Sequence, residues 1–137
     1  MKAFEHRVGI LRDSIDASGR QDFARALEAM DEDVEVHLPP AFPGAGTARG
    51  HEGWLRLQAE FEEAFAGVDY EPEEFEQAGD RILVRIRYSG TARHTEIPID
   101  VDVYWLYTFR GAKIRRMDVF LDREEATAAA GLSEPGE

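Results

Sequence analysis

Residues 97–132 read IPIDVDVYWLYTFRGAKIRRMDVFLDREEATAAAGL, and the spacing in this stretch decides the class of the fold. From Ile97 to Arg110 the positions alternate. Ile97, Ile99, Val101, Val103, Trp105, Tyr107 and Phe109 fall on one face, and Asp100, Asp102, Tyr104, Leu106 and Thr108 on the other. A period of two is that of a strand with one face against a core. Gly111 and Ala112 turn the chain, and Lys113 to Leu121 returns with Ile114, Arg116, Asp118 and Phe120 on one face. Asp122 to Glu125, DREE, is a capping box that opens a last helix through Ala130, closed by Gly131.

Upstream, Arg81 to Thr91 sets Ile82, Val84, Ile86 and Tyr88 against Arg81, Leu83, Arg85 and Arg87, which predicts another half-buried strand. Tyr70 to Ala78 is a weaker, acidic strand, and Pro72, which has no N–H to donate, places it at a sheet edge. Before Gly67 the period is that of helices. Phe4, Val8, Leu11 and Ile15 form one stripe that ends at Ser18 and Gly19, and Phe23, Ala26, Leu27 and Met30 form a second that ends near Asp31 to Asp33. Val34 to Leu38 is a brief strand stopped by Pro39 and Pro40, and Gly50 to Gly53 lead into a third helix carrying Trp54, Leu57, Phe61, Ala64 and Phe65. The conspicuous stretch VHLPPAFPGAGTARGHEGW, residues 36–54, reads mostly as a corner between strand and helix. Three helices, long antiparallel strands and a short final helix predict one α+β domain over residues 1–137, with residues 133–137 as a disordered tail.

Composition narrows the partners. A formal charge of -12 repels a phosphate backbone, so nucleic acid is not expected. The chain has no cysteine, which excludes disulfides and thiolate chemistry. The N-terminus lacks the apolar core of a signal peptide, and no apolar run approaches the ~18 residues of a membrane span, so no membrane partner and a cytoplasmic location are expected. Histidines 6, 37, 51 and 94 show no metal-ligand spacing, Gly44, Gly46 and Gly50 miss a nucleotide loop by one residue, and no GxSxG occurs. The expectation is no metal and no cofactor.

The segment FRGAKIRRMDVFLDREEATAAAGL resembles the C-terminal hairpin and helix of SnoaL-like proteins in the nuclear transport factor 2-like superfamily. DFARALEAMDEDVEVHLPP, ARGHEGW and AGDRILVRIRY are similar to earlier pieces of the same family in the same order, so the resemblance runs from about Phe4 to Leu132. It implies a cone: a strongly curved antiparallel sheet with the N-terminal helices packed over a central pocket. It also implies a homodimer through the convex sheet face. The family includes polyketide cyclases, ketosteroid isomerases, epoxide hydrolases and dehydratases, and also members that only bind.

With a two-residue turn at Gly111 and Ala112, Trp105 lies opposite Asp118, Val103 opposite Phe120 and Phe109 opposite Ile114. Asp118 is then the one carboxylate on an apolar row. A carboxyl buried in such a row holds its proton toward neutral pH and can exchange it with a substrate. The competing reading sets Asp118 at a wet sheet edge or pairs it with Arg116 or Arg85, and a one-residue bulge would exchange the two rows. His37, beside the proline corner, is a second proton carrier or a backbone-satisfied histidine. His51, at the start of the third helix, reads as a surface or capping residue. Asp100 and Asp102 form an acidic row that is either a proton-sharing pair or a solvated polar face. Arg85 matches the epoxide hydrolase arginine, but Arg87 stands where those enzymes carry an aspartate; the first helix has no tyrosine of the isomerase kind; Asp118 and His37 are loose counterparts of the cyclase pair.

The leading expectation is a small-molecule pocket protein, a cofactor-free lyase, isomerase or cyclase acting on an apolar oxygenated substrate, in which Asp118 and His37 are catalytic and Trp54, Tyr88, Trp105 and Phe120 bind the substrate. The first alternative is a non-catalytic ligand-binding or dimerisation module of the same fold, and the second an epoxide hydrolase-like enzyme. A cavity of ~300 Å³ or more with Asp118 exposed in it favours the enzyme, and a core closed by Trp54, Trp105 and Phe61 favours the binding module.

Overall fold

The computed structural model describes residues 2–42 and 46–132. Gly44 of the corner and the tail read at residues 133–137 lie outside them. Helix α1 spans Lys2–Gly19 and the short α2 spans Phe23–Leu27. Asp22 caps α2 by accepting the Arg25 N–H. Strand β1 (Met30–Leu38) and strand β2 (Gly46–Arg49) form a hairpin, which hands the chain to α3 (Gly50–Phe65). The rest of the sheet is β3 (Val68–Ala78), β4 (Arg81–Thr91), β5 (Pro98–Arg110) and β6 (Lys113–Phe120), followed by α4 (Arg123–Ala130). The six strands lie in the order β2-β1-β6-β5-β4-β3, in one curved, unclosed sheet.

Two expectations for the corner need correction. Met30 to Asp33 is strand rather than the end of the second helix, because Met30 pairs with Ile114 and starts a parallel ladder, β1 against β6. The sheet is therefore mixed rather than wholly antiparallel. Gly46–Arg49 is also strand: Thr47 sits across from His37 and Ala48 across from Val36, so this part of the corner pairs with β1 and extends the sheet. The proline in β3 does mark an edge strand, and the ladder is irregular between Pro72 and Glu74.

The inner face of the sheet carries the larger core. Val84 and Ile86 of β4, Val103 and Trp105 of β5, Val119 of β6 and Val36 of β1 pack against Leu11 and Ile15 of α1 and Trp54 and Leu57 of α3. On the outer face a smaller cluster forms where Ala126 and Ala130 of α4 cover Leu83 and Leu106. Asp122 accepts the Glu125 N–H at 3.1 Å and Gly131 adopts a left-handed φ of 77°, so the capping signals place this helix where the sequence puts it.

The chain passes between α3 and the edge strand at a point that only glycine fits. Gly67 has φ +99°, and a Cβ on it would lie 2.4 Å from the Thr91 carbonyl oxygen. Replacing Gly67 by alanine adds backbone strain to a clash with main chain and is expected to lower stability by at least about 2 kcal/mol. The control is Gly9→Ala, in an open position of α1 where nothing lies within 4 Å, which is expected to raise stability by about 0.5–1 kcal/mol. Urea denaturation of the two variants checks both signs.

Candidate functional site

The site is an aromatic cavity between the inner sheet face and the helices, with about 70 Å³ of free space. Strands bring Tyr70 from β3, Tyr88 from β4, Trp105 and Tyr107 from β5, and Met117 and Val119 from β6, while Ser14 and Ser18 of α1 and Trp54 and Phe61 of α3 close the other side. The rings form a continuous edge-on network: Tyr70 and Trp105 have centroids 5.4 Å apart, Tyr88 and Trp105 6.2 Å, and Phe61 and Tyr88 5.8 Å. Such pairs hold one another in fixed orientations.

The polar groups in this wall are few and neutral. Ser14 donates to the Ala26 carbonyl at 3.1 Å, and the Ser18 and Tyr70 hydroxyls share a hydrogen bond of 2.5 Å. Burial pushes Tyr88 and Tyr107 well above the ordinary phenol value; it also raises Tyr70, with Ser18 offsetting part of the effect. At neutral pH these phenols keep their protons. They offer hydrogen bonds and do not act as bases. Trp105 is the exception in the wall: it is 7% exposed and its Nε1 has no hydrogen-bond partner. The indole N–H lies close enough to the Tyr88 oxygen to favour its anion slightly, but not in the geometry of a hydrogen bond. A buried N–H of this kind costs about 1–3 kcal/mol unless an acceptor reaches it.

The structure divides the residues expected at the site. Trp54, Tyr88 and Trp105 line the cavity. His37, Asp118 and Phe120 do not, and the expected pairing of Trp105 with Asp118 is overturned. The β5–β6 ladder keeps Phe109 opposite Ile114, then slips by one residue, so that Trp105 faces Val119, Leu106 faces Asp118 and Tyr104 faces Phe120. The physical reason is desolvation. The unslipped register would drive Arg116 and Asp118 into the aromatic row at several kcal/mol per ion and turn Met117 and Val119 outward. Slipped, the ladder buries the apolar pair and leaves the ions on the outer face.

There Asp118 is clamped by Arg116 through two hydrogen bonds of 2.9 and 3.0 Å, which also hold the Arg116 guanidinium above its ordinary pKa. His37 is the β1 neighbour of Asp118 in the parallel ladder, but its ring bonds Glu35 Oε1 at 3.0 Å and Thr47 Oγ1 at 3.1 Å. The hydrogen bond from His37, with Arg49 nearby, lowers the Glu35 pKa. The two expected proton carriers are thus brought together, on the face away from the cavity. His51 bonds the Met30 carbonyl at 3.1 Å and ties α3 to β1. The acidic row of β5 meets cations: Asp100 pairs with Arg87, and Asp102 lies 3.7 Å from Arg85. Among the described residues no cluster of three or more His, Asp or Glu side chains could hold a metal, and no helix is long and apolar enough to cross a membrane.

Sequence reasoning passed over Tyr70, Tyr107 and Ser18. Tyr107 shares the row of Trp105, and Ser18 extends the α1 stripe three residues past Ile15, so both carried a signal. Tyr70 carried none, because it reaches Tyr88 only through the irregularity at Pro72.

Comparison with known proteins gives a family. The SnoaL-like domain profile matches residues 11–117. An NTF2-like protein from Burkholderia xenovorans LB400 is 31% identical with a TM-score of 0.73, over 92% of this chain and 95% of that one. TerC, co-crystallised with polyporic acid, is 23% identical with a TM-score of 0.76, over 92% and 98%. An NTF2-like protein of unknown function from Burkholderia pseudomallei K96243 is 21% identical with a TM-score of 0.77, over 90% and 95%. No curated protein matches the sequence.

Two outcomes are expected. Asp118→Asn breaks a partly solvated ion pair, so it should cost no more than about 1 kcal/mol in urea denaturation and leave the tryptophan emission of the cavity unchanged. The buried tyrosines have folded pKa values raised above those of the unfolded chain. Their contribution to stability is therefore full below about pH 10 and is lost as pH rises through the folded values, at up to about 1.4 kcal/mol per pH unit for each phenol. Alkaline absorbance titration should show Tyr88 and Tyr107 ionising only as the protein unfolds.

Proposed function

Because the chain belongs to the SnoaL-like domain family, we propose that it binds a small apolar molecule bearing an acceptor oxygen, in the cavity walled by Trp54, Tyr88 and Trp105. The observation that carries this reading is the Trp105 Nε1–H, buried without a partner in an otherwise apolar and aromatic space. A carbonyl or ether oxygen would complete it, while the rings around it offer the apolar and aromatic contact that small-molecule sites use. TerC, which shares the fold, has been co-crystallised with a small molecule.

Binding is favoured over acid-base turnover by what the wall contains. None of the described residues lining the cavity is a carboxylate or a histidine, and the phenols are held in their protonated form by burial. A general base must reach the proton it removes, and Asp118 and His37 face the other side of the sheet. Trp54, Trp105 and Phe61 close the core down to about 70 Å³, so the geometry matches the binding module more closely than the enzyme.

The test compares two molecules of one shape. Cyclohexanone has an acceptor oxygen where methylenecyclohexane has a CH₂ group. Cyclohexanone should bind about tenfold more tightly, the equivalent of roughly 1.4 kcal/mol for one hydrogen bond, and should move one indole N–H signal in the ¹H–¹⁵N spectrum. In Trp105→Phe the preference should vanish. Equal binding of both molecules to the unaltered protein sinks the assignment of Trp105 as the donor.

A further inference from the structure

A second space adjoins the cavity. Between the end of α1, α3 and the edge strand β3 runs an open groove of about 970 Å³. Ile15, Ser18, Gln58, Phe61 and Tyr70 line both the groove and the cavity, so these side chains are the partition between them. The hydrogen bond between the Ser18 and Tyr70 hydroxyls lies in that partition. We infer that the ligand is elongated, with an apolar, acceptor-bearing head in the cavity and a polar end in the groove, and that the Ser18–Tyr70 pair is the latch it displaces on entry. The inference rests on the cavity-binding reading and extends it to the class of ligand and the route of entry.

Three observations support the latch. The cavity holds about 70 Å³, far below the ~300 Å³ at which pockets for drug-sized ligands begin, so a molecule of any length must use the neighbouring space. Both halves of the pair sit where the fold yields most easily: Ser18 in the last turn of α1, followed by Gly19 and by Gln21 at φ 63°, and Tyr70 on an edge strand paired on one side only and two residues from an irregular step in its ladder. Local opening is drawn from such segments. Finally, a Tyr70 hydroxyl freed from Ser18 stays protonated, because burial raises its pKa, and so remains a hydrogen-bond group for the ligand that parts the pair.

The groove also limits the polar end. Its wall includes Arg12, Asp16, Gln21, Glu62, Asp69 and Arg93, so charges of both signs face the space. Arg12 is stacked on Phe75 at 4.5 Å and Arg20 is paired with Asp16 at 3.0 Å, which occupies two of the cations. A surface of this kind suits a neutral hydrogen-bonding end, a hydroxyl or amide, better than an anion.

The experiment uses the two tryptophans, both of which line the cavity, as reporters. Cyclohexanone is the short ligand and 4-(4-hydroxyphenyl)cyclohexanone the long one. The long ketone should bind more tightly than cyclohexanone. In Tyr70→Phe and in Ser18→Ala the ratio of association rates, long over short, should rise by about tenfold, the factor that corresponds to roughly 1.4 kcal/mol of one hydrogen bond. Acrylamide quenching of the tryptophan emission should rise in both variants without ligand. An unchanged rate ratio in both variants overturns the latch, and quenching that does not rise overturns it whatever the ketones do. Cyclohexanone binding with no advantage for the long ketone overturns the elongated ligand and leaves the cavity reading standing. If neither ketone binds, the cavity reading itself falls.

Discussion

The one-residue slip between Phe109–Ile114 and Thr108–Arg116 decides what the inside of this protein is made of. Side chains alternate along a strand, so a single unpaired residue exchanges every face beyond it. Below the slip Ile114 faces inward; above it Met117 and Val119 do, and Arg116 and Asp118 face out. All later features of the site inherit that choice. Trp105 meets a valine instead of a carboxylate, and the aromatic row of β4 and β5 closes over an uncharged space.

The consequence is electrostatic. An ionised group in the cavity would have raised the local polarity and drawn water, with which the Trp105 N–H could then bond. Among the described residues the wall offers instead protonated phenols, two serine hydroxyls, one of them already donating to Ala26, and the amide of Gln58. In surroundings of low polarity an unmet donor such as the Trp105 N–H weighs more than it would near water. Without a carboxylate or histidine among the described lining residues, proton abstraction in this cavity has no base, while the Trp105 N–H stays buried without a partner. Meanwhile the charges gather on the outer face as pairs, Arg116 with Asp118, Arg49 with Glu35, Arg87 with Asp100, where solvent shares the cost of each ion.

How far the sequence discloses this depends on whether a feature is periodic. Helices α1 and α3 and strands β4 and β5 repeat their pattern over many residues, and each lies where the spacing puts it. The capping box at Asp122 and the edge position of the proline strand were also legible, because each follows from one residue's chemistry. What escaped was a matter of single residues. Met30 continues the apolar stripe of α2 yet joins the sheet, since its ladder with Ile114 is a contact across 84 residues that no local window contains. Gly46–Arg49 has a turn-like composition and becomes strand because β1 offers it a free edge. The bulge in β5–β6 shows only as a change of phase, Ile114 to Met117 being three residues and Met117 to Val119 two, and the adjacent Arg115 and Arg116 hide which residue is the extra one. The inward positions of Trp54, Tyr88 and Trp105 follow from pattern alone, whereas the faces of Asp118 and Phe120 depend on the bulge.

The irregular step in β3 works in the same way as the slip in β6, and together they explain why the partition stands where it does. Without the step at Pro72, Tyr70 would oppose Ser89; with it, Tyr70 opposes Tyr88, and its ring enters the network with Phe61 and Trp105 while its hydroxyl reaches Ser18. Proline at that point has no N–H for the ladder, so the step costs less there than it would in a central strand. One irregularity thus keeps charge out of the cavity and the other closes its side with the Ser18–Tyr70 hydrogen bond. The central strands are pinned on both sides by long ladders, and the edge strand on one side only. The partition is therefore built from the strand with the fewest ladder bonds to hold it.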